Sequence, residues 1–122
     1  MPATPSHILI IDDNEDILYM IKAMLEMHGY KVSVKQNIIE LELGLTELCP
    51  DAIIMDMLLS GADGLEVCRM LKANEKFSHI PLIMISAHPS AKKECKEAGA
   101  NYFVEKPFDM NDLVAIVKTA LK

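Results

Sequence analysis

Five residues have the types and the spacing to do chemistry together: Asp12, Asp13, Asp56, Ser86 and Lys106. Each follows or closes a short apolar run. Asp12 and Asp13 stop His7-Ile8-Leu9-Ile10-Ile11, and Asp56 ends Ala52-Ile53-Ile54-Met55. Ser86 ends the run 81–85, and Lys106 comes just after Tyr102-Phe103-Val104. A carboxylate at the rim of a buried run needs a partner, a metal or a proton, because stranding it dry is costly. Three carboxylates close together repel, each pair at ~4 Å by roughly 4 kcal/mol at an effective dielectric of 20. Either one acid stays protonated or a cation sits among them. An all-oxygen, partly open site suits Mg²⁺, which takes a few carboxylates and keeps several waters. Lys106 adds a point charge and Ser86 a hydroxyl donor. Such a set can hold the three oxygens of a phosphoryl group, with Asp56 as nucleophile and an acyl phosphate as product.

Taken singly, each residue has a plainer role. Asp12-Asp13 reads as helix caps, Ser86 as a loop hydroxyl bonded to backbone, and Lys106 as a solvated lysine. The signal lies in all of them falling at strand ends of one alternating pattern.

The apolar run 52–55 reads as a strand buried on both faces, the kind found inside a parallel sheet; 7–11 reads as another buried strand and 81–85 as a fourth strand. After 7–11, Ile17, Ile21, Leu25 and His28 share a helical stripe, with Met24 beside it and Gly29 as a stop. Lys31 to Val34 alternates like a short edge strand. Asn37 can cap a second helix with Glu40 three residues on, its apolar face being Leu41, Leu45 and Leu48. Gly44 weakens that helix by up to ~1 kcal/mol relative to Ala. Ser60-Gly61-Ala62-Asp63-Gly64 is a loop. A third helix covers 65–73, its faces set by Leu65 with Arg69 and by Val67, Met70 and Leu71. His88-Pro89-Ser90 is a second loop, and a lysine-rich helix over 91–98 is closed by Gly99. A fifth strand covers 102–104. The last helix is capped by Asp109 and turns Leu113, Ile116, Val117 and Ala120 inward. Strand and helix alternate five times with short connections. That implies an α/β fold, a parallel sheet with helices on both faces, and a ligand site at the carboxyl ends of the strands.

With 122 residues, one domain over 1–122 is expected. Eighteen acids against 12 Lys and Arg give a net charge of -6, which disfavours direct binding to nucleic acid. No apolar run approaches the ~20 residues of a membrane span, and residues 1–6 carry no signal-peptide pattern. The expected location is the cytoplasm. Cys49, Cys68 and Cys95 are an odd number without metal spacing and read as core thiols in a reducing compartment. The nine methionines read as core filler, and the four histidines form no ligand pattern.

The stretches ILIIDDNEDI, PDAIIMDMLLSGADGLEVCRMLK, IPLIMISAH and AGANYFVEKPF resemble the receiver domain of two-component response regulators. The resemblance runs over essentially the whole chain. It implies a flavodoxin-like (βα)5 three-layer sandwich with a five-stranded parallel sheet of order 2-1-3-4-5, an order the periodicity alone does not establish. It implies that Asp56 is the phosphoacceptor, that Asp13, Asp56 and the backbone carbonyl of Leu58 bind Mg²⁺ (or Mn²⁺), and that Asp12 does so through water. Ser86 and Lys106 would bind phosphoryl oxygens, Ser86 and Phe103 would report the change, and the Lys106-Pro107 bond would be cis. The implied partners are a histidine kinase or phosphotransfer protein and an output protein docking on the face of helix four, strand five and helix five. The protein would be a monomer or a phosphorylation-dependent dimer. It would be a switch rather than an enzyme, catalysing only its own phosphorylation and slow dephosphorylation. No effector domain is expected within the chain.

Three departures from the family pattern stand out. The switch aromatic is Phe103, which lacks the hydroxyl of the common Tyr. Ser60 replaces a common Pro. Leu58 and His88, two residues beyond Asp56 and Ser86, are expected to tune the phosphoryl lifetime. The competing readings are an unphosphorylated pseudo-receiver adaptor, a flavodoxin-like cofactor binder and an aspartyl phosphatase. The second lacks a glycine-rich phosphate loop after the first strand. The third normally needs a cap or a larger domain.

Overall fold

A computed structural model of the chain describes residues 5–37, 44–59, 62–88 and 90–122. The expectations for Glu40, Leu41, Ser60, Pro89 and the Leu58 side chain fall outside these residues. Five strands, β1 (His7–Ile11), β2 (Lys31–Lys35), β3 (Ala52–Asp56), β4 (Leu82–Ser86) and β5 (Tyr102–Glu105), form one parallel sheet. Its order is β2-β1-β3-β4-β5, with β2 on an edge. This is the order the resemblance implied. Helices α1 (Glu15–Met27), α2 (44–48), α3 (Gly64–Ala73), α4 (Ala91–Glu97) and α5 (Met110–Ala120) follow the strands in turn. A two-residue antiparallel pairing of Leu58-Leu59 with Ala62-Asp63 lies outside the sheet.

β1, β3 and β4 are buried along their full length. Successive side chains point to opposite faces of a sheet, so each strand feeds two cores. On one face Leu9, Ile11, Ile53, Met55, Leu82 and Met84 pack against α2, α3 and α4. On the other, Ile8, Ile10, Ile54, Ile83, Ile85 and Val104 pack against α1 and α5. Phe103 belongs to the first core and Tyr102 to the second, as strand alternation requires.

The helix faces differ in detail from the expected stripes. α1 buries Leu18, Ile21 and Leu25, while Ile17 is half-buried. His28 is exposed because the helix ends at Met27 and His28 is its C-cap. α3 buries Leu65, Val67, Cys68 and Leu71, a stripe that leaves Met70 57% exposed. Met20 and Met27 on α1 are likewise exposed, at 53% and 82%, so not every methionine fills the core. In α5, Val114 takes a buried place beside Leu113 and Val117, and Ile116 lies partly buried. Cys68 and Cys95 are buried and Cys49 is exposed. Burial pushes both buried thiols above their ordinary value, Cys95 to about 11, which keeps them protonated and unreactive. Among the described residues no helix is long and apolar enough to cross a membrane.

Candidate functional site

Parallel register places the acids. Ile11 pairs with Met55 across β1 and β3, so the next residues, Asp12 and Asp56, leave the sheet side by side. On the other flank Asp56 pairs with Ile85, and Ser86 pairs with Glu105. The Lys106 backbone N–H then donates to Ser86 O at 2.8 Å, which fixes the start of the loop carrying the lysine. The Lys106-Pro107 peptide bond is cis.

Local contacts aim each side chain. Asp12 Oδ1 accepts the backbone N–H of Asn14 at 2.9 Å, and Asn14 in turn caps α1 by accepting from Ile17 N at 3.1 Å. Behind Asp56 the chain runs close under α3. Gly64 N donates to Met57 O at 2.8 Å, and a Cβ on Gly64 would lie 2.5 Å from Met57 O and 2.7 Å from Asp56 O. Only glycine permits that approach. Ser86 Oγ accepts the backbone N–H of His88 at 3.0 Å.

The result is a cleft of about 520 Å³ whose walls include Asp12, Asp13, Asp56, Ser86, His88 and Lys106. Asp12, Asp56 and Ser86 are buried, at 2%, 7% and 3% exposure. Lys106 Nζ lies 2.5 Å from Asp56 Oδ2 and 3.7 Å from Asp12 Oδ2. One ammonium thus serves two buried carboxylates. Burial, and then the neighbouring charge of Asp56, push Asp12 up from 3.8 to about 6, against the opposing hydrogen bond from Asn14. Burial works against the charge on Lys106, yet the hydrogen bond and charge of Asp56, with Asp12 behind them, lift it above its ordinary value.

All three acids line the one cleft at the strand ends, as the sequence suggested, but not equally deeply. Asp12 and Asp56 meet, while Asp13 lines the same cleft from an exposed position. Among the described residues no group of three His, Cys, Asp or Glu side chains is close enough to hold a metal ion. The donor set nevertheless fits Mg²⁺. It is all oxygen and carries more negative charge than Lys106 neutralises, and Mg²⁺ is usually held through one or two carboxylates and several waters. The residues that the sequence reading missed are Asn14, Gly64 and Ser90. An Asn ahead of an apolar-periodic run is a legible N-cap signal; nothing in the sequence marks the other two.

Comparison with known proteins agrees with this geometry. The response regulator receiver domain family matches residues 8–118. The phosphate regulon transcriptional regulatory protein PhoB of Pseudomonas aeruginosa is 36% identical over 117 residues, which are 94% of this chain and 51% of that protein. The DNA-binding dual master transcriptional regulator RpaA of Synechocystis is 33% identical over 94% of this chain and 48% of its own length. The chain thus spans about half the length of the curated relatives it matches. Among solved structures, the signal receiver domain of a signal transduction histidine kinase from Syntrophus aciditrophicus superposes with a TM-score of 0.88 at 32% identity, covering 95% of this chain and 89% of that one. The receiver domain of a Pseudomonas aeruginosa PAO1 sensor histidine kinase superposes with a TM-score of 0.87 at 29% identity, covering 97% and 98%. That structure holds a magnesium ion in its active site cleft. By sequence family, strand order and cleft, the chain belongs to the receiver domains of two-component response regulators.

Proposed function

We propose that Asp56 accepts a phosphoryl group from a phosphohistidine on a histidine kinase or phosphotransfer protein, and that the change controls binding of an output partner. The observation that carries this is the single ammonium of Lys106 set between Asp56 and Asp12 in an open cleft. An Asp56 carboxylate oxygen forms a bond to phosphorus as the bond from phosphorus to the histidine nitrogen breaks. Lys106 moves from pairing a carboxylate to pairing a phosphoryl oxygen. The Ser86 hydroxyl accepts from His88 N and keeps its own proton to donate to another. Asp13, Asp56 and the backbone carbonyl of Leu58, with Asp12 through water, would hold Mg²⁺ or Mn²⁺. That ion supplies positive charge to the phosphoryl oxygens.

Phosphorylation adds charge and acceptor oxygens at one rim and shifts the protein only by its difference in interaction with two conformers. Ser86 and Phe103 are the reporters in this reading. Phe103 is half-buried and lines a groove with Lys92, Lys96 and Tyr102 on the face of α4 and β5, where the output protein would dock. Leu58 and His88 set the phosphoryl lifetime. The donor approaches from elsewhere. Beside the cleft, Ile17, Met20, Pro107 and Phe108 line an apolar groove of about 350 Å³, and a protein delivering phosphorus to Asp56 must cover that rim. The chain turns over no free substrate and works in the cytoplasm. It makes no nucleic-acid contact of its own, given its net charge of -6. The DNA binding named for its longer relative belongs to that protein.

Incubation with Mg²⁺ and a small acyl phosphate tests the reading by intact-mass spectrometry. One phosphoryl group is expected on the native chain and none on Asp56→Asn. A native chain that stays unmodified would mark an unphosphorylated adaptor instead.

A further inference from the structure

His88 stands on the wall of the cleft with Ser86 and Lys106. A neighbour whose place in the fold calls for another task ties down its ring. Ser90 is the N-cap residue of α4, where a serine side chain ordinarily accepts a hydrogen bond from the first helical turn. It makes no such bond here. Its Oγ lies instead 2.7 Å from Nδ1 of His88, and its backbone N–H donates to the same Nδ1 at 3.4 Å. A backbone N–H can only donate, so Nδ1 is an acceptor and the Ser90 hydroxyl donates its hydrogen bond to it as well. In the neutral ring the N–H therefore sits on Nε2. The backbone of His88 is held too, by its own bond to Ser86 Oγ at 3.0 Å.

We propose that Ser90 is a positioning residue: it keeps His88 as an Nε2–H donor on the cleft wall, so the ring cannot take a proton from a water attacking phosphorylated Asp56, and the phosphoryl group persists. This rests on Asp56 being the phosphoacceptor. Hydrolysis forms a bond from the water oxygen to phosphorus and breaks the bond from phosphorus to the Asp56 carboxylate oxygen. One proton must leave the water. A ring whose Nε2 carries hydrogen has no lone pair there to receive it. Without Ser90 the ring exchanges tautomers, and an Nδ1–H ring offers Nε2 as the base.

The test uses the full chain with Mg²⁺. Nitrogen NMR of the His88 ring in the unphosphorylated protein reads the tautomer. Loss of the phosphoryl group after removal of an acyl-phosphate donor, followed by intact mass, reads the lifetime. The native chain should show hydrogen on Nε2. Ser90→Ala should show a mixture and a decay at least about tenfold faster, short of the full 10²–10⁴ of a fixed general base because the ring turns freely. Ser90→Thr should restore both. In a His88→Ala background, Ser90→Ala should change nothing; general loosening of α4 would speed decay in either background and overturn the proposal. An Nδ1–H ring in the native chain, or a Ser90→Ala protein decaying at the native rate, overturns it as well. A native chain that takes no phosphoryl group at Asp56 defeats the phosphoacceptor reading and this one together.

Discussion

Lys106 and Asp56, fifty residues apart, meet with Nζ 2.5 Å from Oδ2. The contact joins the end of β5 to the end of β3 and brings the one lysine that lines the cleft among the described residues onto its central acid. Lys106 has its charge favoured in the fold, so its contribution to stability is fully present below its ordinary value and is lost as pH rises through the raised one. Lys106→Met should cost roughly 1.5–3 kcal/mol at pH 7, the worth of hydrogen bonds to charged groups. Urea unfolding of the two proteins checks it.

Asp12 carries the opposite message. Its value is raised from 3.8 to about 6. The folded state holds the proton more tightly than the unfolded one, so the associated stability is present below 3.8 and is lost as pH climbs through about 6. At pH 7 the ionised group costs the fold roughly 3 kcal/mol at most. Asp12→Asn keeps an oxygen for the Asn14 N–H. It should be more stable than the native chain at pH 7 and no more stable near pH 4, as thermal unfolding at the two pH values will show.

Gly64 packs its backbone against the carbonyl oxygens of Met57 and Asp56. A methyl group there must push back the strand end that carries Asp56. Gly64→Ala should lose about 2 kcal/mol or more, as overpacked sites do. It should also slow phosphorylation by an acyl phosphate, whereas Gly29→Ala, far from Asp56 in sequence and at a site with φ +90, should lower stability alone. Melting temperatures and labelling rates of the two variants separate the effects.

Met20 is 53% exposed on the groove beside the cleft. Met20→Glu should leave the melting temperature and labelling by a small acyl phosphate unchanged. It should slow transfer from a phosphorylated protein donor about tenfold, the equivalent of losing ~1.4 kcal/mol of interface contact. Equal slowing with both donors would remove this groove from the donor's path.

Much of this molecule can be read from its residues because the strands are short apolar runs ended by polar groups. Asp12, Asp56, Ser86 and Lys106 stand at strand ends for that reason, and parallel register converts the ends of strands into one rim. The strand order cannot be read that way, since every pairing of these runs buries similar surface; only the family resemblance supplied it. Periodicity also misplaced His28 and Met70. A helix face is set by where the helix ends and what it meets, and Cys68 is small enough to take the inner place on α3. The Ser90–His88 bond and the Gly64 approach are contacts made where elements begin and end, for which residue spacing carries no signal.

The most direct measurement locates the phosphoryl group itself. The chain is treated with an acyl phosphate, once with Mg²⁺ and once with a chelator, then reduced with borohydride, which converts an aspartyl phosphate to homoserine. Peptide mapping should find homoserine at position 56 in the Mg²⁺ sample and nowhere in the other. Homoserine at another position, or the same yield at position 56 with the chelator present, would contradict the account.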